Sequence, residues 1–393
     1  MNPQERRATL GLSLIFALRM LGLFMILPVF ALYAGELDGV TPLTLGLALG
    51  IYGLTQALLQ LPFGLASDRL GRKPVIVAGL LIFAAGSVLA ALADDILWVI
   101  AGRALQGAGA VGAVINALLA DLTRETVRTA AMAVLGIGIG ACFLLAMVLG
   151  PVLHAWISVP GIFWLTAALG LLCIVVLLTW VPQAPPLTLS DEPHSWRELL
   201  RVLSSAELLR LDGGIFVLHA ILTSLFVAMP LALRDAGLAG PQHWQVYLPV
   251  MLLSILLLLP LLQYSGREGG LKPAFLGCVS LLAMALMGLA LTPHQIGLLA
   301  VLLLLFFAGF NLLEASLPSL VSRCAPAGHR GAALGVYSSL QFLGTFCGGA
   351  LGGFVLGKAG TTGVFLFAAG LALVWLVFAA GMQVPQAERE IRL

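Results

Sequence analysis

The sequence predicts an all-α integral membrane protein whose twelve transmembrane helices form two pseudo-symmetric six-helix bundles. Three observations carry that prediction. Of 393 residues, 60% are apolar and only 10% charged, against about 25% charged in an ordinary soluble domain, so lipid is the implied solvent. The apolar residues fall into runs of roughly the 20 needed to cross a hydrocarbon core, and twelve such runs fit the chain length. Arg128 with Ala130, Ala131 and Met132 after the fourth run is echoed by Arg330 with Ala332, Ala333 and Leu334 after the tenth, the trace expected of an internal duplication.

The first span runs from about 10 to 34. Arg6 and Arg7 before it imitate a signal peptide, but the run contains Arg19, continues to Tyr33 and offers no small-residue cleavage site, so it reads as a span. Spans follow near 43–66, 75–93, 96–120, 130–153 and 160–181. Residues 182–207 then change character. Pro182, Pro185, Pro186 and Pro193 stop helix, and Ser195 with Glu198 has capping-box spacing while Trp196, Leu199, Leu200 and Leu203 share a face. A cytoplasmic linker with a short interfacial helix is expected there. Six more spans lie near 208–233, 244–265, 273–291, 294–321, 331–356 and 362–381. The expected units are an N-terminal bundle over 1–181, the linker over 182–207, a C-terminal bundle over 208–381 and a cytoplasmic tail over 382–393.

Orientation follows from basic residues, which concentrate on the cytoplasmic side. With the N-terminus inside, Arg6, Arg7, Arg69, Arg72, Lys73, Arg124, Arg128, Arg197, Arg201, Arg210, Arg267, Lys272, Arg323, Arg330, Arg389 and Arg392 fall inside, and Arg234 and Lys358 outside. Both termini are then cytoplasmic. A net charge of +2 gives no reason to expect a nucleic-acid partner. Five scattered cysteines lack the paired spacing of a zinc site or a disulfide framework.

Two patterns imitate nucleotide sites. Gly107, Gly109 and Gly112 copy a dinucleotide fingerprint, but they interrupt an apolar helix instead of following a strand. Gly352, Gly357 and Lys358 resemble a phosphate loop, yet Ala359 stands where the metal-binding hydroxyl belongs. No catalytic residue, metal ligand or cofactor is therefore expected. Close helix packing explains the glycines better: Gly344, Gly348 and Gly352 recur every four residues in span eleven, as do Gly136 and Gly140 in span five. Gly150 and Pro151 are expected to add packing and a bend near the end of span five.

The most informative segment is the turn between spans two and three, punctuated by Gly64, Asp68, Arg69, Gly71, Arg72, Lys73 and Pro74. Asp68 sits at a helix C-terminus, where the macrodipole disfavours negative charge, so it needs cationic partners. This segment resembles the signature loop of the major facilitator superfamily. Arg103, Gln106, Gly107 and Gly109 are similar to its arginine motif in span four, and Gly150 with Pro151 to the span-five motif of its antiporters. Gly266, Arg267, Glu268, Gly269 and Gly270 are a degraded second copy of the loop. The whole chain resembles a branch of the superfamily's bacterial proton-coupled efflux transporters whose members also carry a soluble C-terminal domain, and after span twelve only a short tail is expected in the sequence given. The resemblance implies a major facilitator fold that rocks about a central cavity, proton-driven export, and a charge network locking the outward-facing state. Carried over, the lock comprises Asp68, Arg69, Gly71, Arg72, Lys73, Arg128 and the start of span eleven near Arg330.

Polar residues inside spans form a second group. Tyr52, Gln56, Gln60 and Phe63 share one face of span two; Phe307, Asn311 and Glu314 share one of span ten. Such faces are expected to line a wet cavity, with Tyr337, Gln341, His219, Asn116, Arg19 and Arg103 as further candidates. The arginines cost about 2.5 to 3.5 kcal/mol each to insert and must face protein or water. Bracing the fold and binding substrate are both open to them. Glu314 reads as the one carboxylate well inside a span, and Asp121 lies at the inner end of span four. Both are candidate proton carriers, since a carboxylate moved between dry and wet surroundings changes its proton affinity. His219 is the third. The expected protein is a monomeric, multi-pass exporter of small amphipathic or drug-like molecules in the bacterial inner membrane, with the proton as coupling ion; proton-linked sugar or metabolite movement is the alternative.

Overall fold

Helices carry nearly all of the chain in the computed structural model, which describes residues 1–183, 205–292, 295–326 and 329–382. The expected linker helix and nearly all of the tail lie outside the described residues. The main helices are α1 (Pro3–Phe24), α2 (Pro42–Leu70), α3 (Arg72–Ala91), α4 (Ile96–Ala108), α5 (Gly112–Asp121), α6 (Glu125–Thr179), α7 (Ala206–Asp235), α8 (Trp244–Ser265), α9 (Leu271–Leu291), α10 (Ile296–Cys324) and α11 (Arg330–Ala380). With α4 and α5 taken together, ten are long and apolar enough to cross a membrane.

Two of these are too long for one crossing. At 1.5 Å per residue, the 55 residues of α6 would extend about 80 Å, against a core of about 30 Å. Each long helix breaks once, at Ser158 in α6 (φ 57°) and at Gly360 in α11 (φ 64°). Read as two limbs each, α6 and α11 make the helices compatible with twelve spans.

Local chemistry sets the ends. Asn2 and Glu5 form a reciprocal capping box ahead of α1, and Thr41 with Thr44 does the same for α2, each with proline in the first turn. Gly71 ends α2 and begins α3 at φ 93°, a conformation that only glycine adopts without strain. Pro28 lies where α1 loses regularity, and a Cβ on Gly150 would stand 2.5 Å from the Met25 carbonyl oxygen and 2.8 Å from the Pro28 ring. Gly150 thus lets α6 close onto the break in the first span.

The halves repeat a packing theme. In the first, Gly22 of α1 meets Thr166 in the second limb of α6; in the second, Gly214 of α7 meets Trp375 in the second limb of α11. Helix α7 is the most enclosed element, approached closely by α11 at Gly344, Gly348 and Gly352, where added Cβ atoms would stand 2.2, 2.2 and 3.1 Å from α7 backbone. Gly136 and Gly140 do not play the matching role expected in span five: neither has a neighbour within 4 Å.

Candidate functional site

Helices α2 and α11 come from different halves, and their contact is one-sided. Cβ atoms added to Gly46, Gly50 and Gly53 would lie 2.1 Å from the Gly349 oxygen, 2.8 Å from the Phe346 oxygen and 2.3 Å from the Phe342 oxygen. Only glycine permits that approach. The same stripes continue at helical spacing into Leu61 and Gly64 on α2 and Gly335 and Gly331 on α11, toward the side of the α2–α3 turn. There the three glycines have nothing within 4 Å, and Leu61 is 48% exposed. The halves therefore touch on one side and part on the side of the turn.

On the parted side, charges pair within the first half. Asp68 pairs with Arg72, which also donates to Ser67 Oγ (2.7 Å) and to Asp121 Oδ2 (3.0 Å). Lys73 Nζ donates to the Val181 carbonyl at 2.7 Å. Arg124 clamps Glu5 through Nε at 2.7 Å and Nη2 at 3.2 Å, and these bonds raise the pKa of the Arg124 guanidinium. Among the described residues, Asp68 makes no ion pair with the other cations assigned to the lock. Arg128 donates to the Ala120 and Thr123 carbonyls, while Arg69 and Arg330 are exposed.

At mid-depth an aromatic seam joins the halves. Phe143 of α6 lies 5.1 Å from Phe24 and 6.0 Å from Phe307 of α10 (centroid distances). Phe310 stands 6.2 Å from the His219 ring. Beside it, the Gln341 amide nitrogen is 3.2 Å from Glu314 Oε1 and 2.9 Å from His219 Nε2. His219 Nδ1 lies 3.9 Å from Glu314 Oε2, and neither of those two atoms has a hydrogen-bond partner. The Glu314 side chain is 36% exposed. Tyr337 is buried in electrostatic reach of Glu314, and Asn311 donates to Ser254 Oγ at 3.1 Å.

Asp212 was not singled out from sequence. It lies in α7, 2% exposed, with Oδ1 unpartnered and in electrostatic reach of Tyr337. The available signal was its position seven residues before His219, which puts both on one helix face.

In the first half, most of the span-two face is enclosed. Tyr52, Gln56 and Gln60 are buried; α1 supplies Arg19, whose Nη2 donates to Gln56 Oε1 and to the Gly109 carbonyl, both at 2.9 Å, and Gln56 Nε2 donates to Gln60 Oε1 at 3.4 Å. Span four breaks at that carbonyl, between α4 and α5. Arg103 donates to the carbonyls of Ala48 (3.2 Å) and Leu49 (3.4 Å) and to Gln106 Oε1 (2.9 Å). The two guanidinium carbons face Tyr52 at 5.8 and 5.4 Å from the ring centroid. Asn116, one turn into α5, is exposed.

Such a framework can alternate rather than catalyse: ionisable groups at the boundary of two bundles that part on one side. The family model of the Major Facilitator Superfamily matches residues 12–344. The chain belongs to the major facilitator superfamily. It is 47% identical over 394 residues to the inner membrane transport protein YajR of Escherichia coli K12, covering 100% of this chain and 87% of that protein. It is 26% identical over 340 residues to the multidrug resistance protein MdtH of Yersinia pestis, covering 84% and 81%. Its fold matches the crystal structure of a bacterial homologue of the human lysosomal transporter Spinster, with a TM-score of 0.78 at 14% identity over 97% of both chains. A member of this superfamily is a multi-pass membrane transporter of small molecules, not an enzyme.

Proposed function

We propose that the protein is a proton-coupled exporter of small amphipathic molecules that works by alternating access. The observation that carries the reading is the pair Glu314 and His219, joined through the Gln341 amide beside the aromatic seam where the parted halves meet. A carboxylate there exchanges dry for wet surroundings as the halves rock, so proton and substrate take turns in setting the conformational equilibrium. One charge crossing 100 mV supplies about 2.3 kcal/mol for that work. The proton is the only coupling species in this reading, and one copy of the chain suffices.

The excess of basic residues on the side of the turn supports a cytoplasmic location for that side and for both termini, in the inner membrane that the name of YajR specifies for that protein. The parted state is then inward-facing. In the opposite state, Asp68 meets the start of α11 near Arg330, and Arg128 joins it. The name of MdtH, a multidrug resistance protein, supports drug-like cargo.

The test is reconstitution. Vesicles holding the protein under an imposed proton gradient are expected to move lipophilic compounds uphill; no movement across a broad panel contradicts the reading. A second reading, proton-linked sugar or metabolite transport, is favoured by the exposed amide of Asn116, since amides suit hydroxyl groups. Counterflow with labelled sugars against lipophilic probes separates the two.

A further inference from the structure

Arg19 of α1 is 1% exposed, enclosed by protein and so out of reach of lipid headgroups. A buried guanidinium is normally neutralised by a carboxylate. Among the described residues no carboxylate pairs with Arg19: Glu5, Asp68 and Asp121 of the first half are engaged by Arg124 and Arg72 at the turn side. Arg103 is likewise without a carboxylate, but it spends its donors on two carbonyls and Gln106, which is the work of a brace. Arg19 differs. Its Nε has no hydrogen-bond partner, and the buried Tyr52 ring stands beside it, 5.8 Å from the guanidinium carbon.

The surroundings add positive potential. The bond from Arg19 to Gly109 holds it at the break in span four, where the ten-residue helix α5 begins at Gly112 with no side-chain cap on its N–H groups. A helix N-terminus carries about half a positive charge. The Gln56 amide nitrogen would lie 3.8 Å from a Cβ on Gly112, so amide, guanidinium and helix end converge. The cover belongs to the other half: Phe342 of α11 stands 6.2 Å from the Tyr52 ring. Rocking of the halves would lift Phe342 and expose the cluster, next to apolar Phe16, Met20 and Leu23.

We infer that Arg19, Gln56 and the start of α5 form a subsite for the negatively charged group of an amphipathic organic anion, which the protein carries. The inference rests on the transport reading and narrows its substrate class.

The test is titration calorimetry of the purified full chain with three probes of one shape: 2-naphthalenesulfonate, the neutral 2-naphthalenesulfonamide and the trimethyl(2-naphthyl)ammonium cation. The sulfonate is expected to bind about tenfold or more tightly than either other probe, the scale of a charge-assisted contact made in place of an unpaired one. Arg19→Gln is expected to erase that preference and Arg19→Lys to keep most of it. No sulfonate binding, equal affinities, or preference for the ammonium probe overturns the inference in the unaltered protein, whether or not the variants fold. A sulfonate preference surviving in folded Arg19→Gln overturns it too. Calorimetric preference with no probe moving in vesicles would count against transport and leave the anion subsite standing.

Discussion

Glu314 carries two atoms in different circumstances: Oε1 accepts from Gln341, while Oε2 is buried beside His219 without a partner. A carboxylate placed so can gain a proton without breaking its existing bond. Glu314→Gln is expected to abolish uphill transport and preserve exchange of labelled for unlabelled substrate across vesicles, because only the proton step is removed. Retained uphill transport would eliminate Glu314 as carrier. At the turn, Asp68→Asn leaves Arg72 its bonds to Ser67 and Asp121, so insertion and expression are expected to survive. The initial rate of transport is expected to fall about tenfold, the scale of one lost charge-assisted contact in the opposite state; a normal rate would dismiss the lock.

The contact between α2 and α11 makes opposite predictions at its two ends. At Gly46 and Gly353 an added side chain meets backbone oxygen at 2.1 and 2.4 Å, and backbone cannot yield as a side-chain tip can. Gly46→Val is expected to hold the closed side ajar, read as new reactivity of a cysteine placed at Phe346 toward an impermeant maleimide. At Gly335, which has no neighbour within 4 Å, Gly335→Val is expected to leave the melting temperature nearly unchanged and yet to slow transport, since that stripe must close in the other state. The spans, their turn and the packing glycines of α11 were legible because hydropathy, charge and helical period are local properties. Gly136 and Gly140 carry the same spacing without a contact, since the side on which the halves part is a property of the conformation. Gln56 is held by Arg19 from another helix, and the bond from Arg19 to Gly109 joins residues 90 positions apart. No local pattern announces it. Asp212 was hidden by its place near a span boundary, where a charge reads as a helix end.

The whole molecule is two bundles joined by backbone contact on one side and parted on the other. Ion pairs of Asp68, Arg72, Asp121, Arg124 and Glu5 tie the first bundle to itself, so that it can move as a body. Transport by alternating access, as proposed, requires the two bundles to move against each other. The most direct measurement places spin labels at Leu65→Cys and Gly335→Cys, in a chain whose five native cysteines, Cys142, Cys173, Cys278, Cys324 and Cys347, are replaced by alanine, and follows the distance across the parted side in vesicles at differing pH. Two populations are predicted, a long one matching the parted halves and a short one matching their closure, exchanging weight as pH changes. One invariant long distance under every condition would contradict the account.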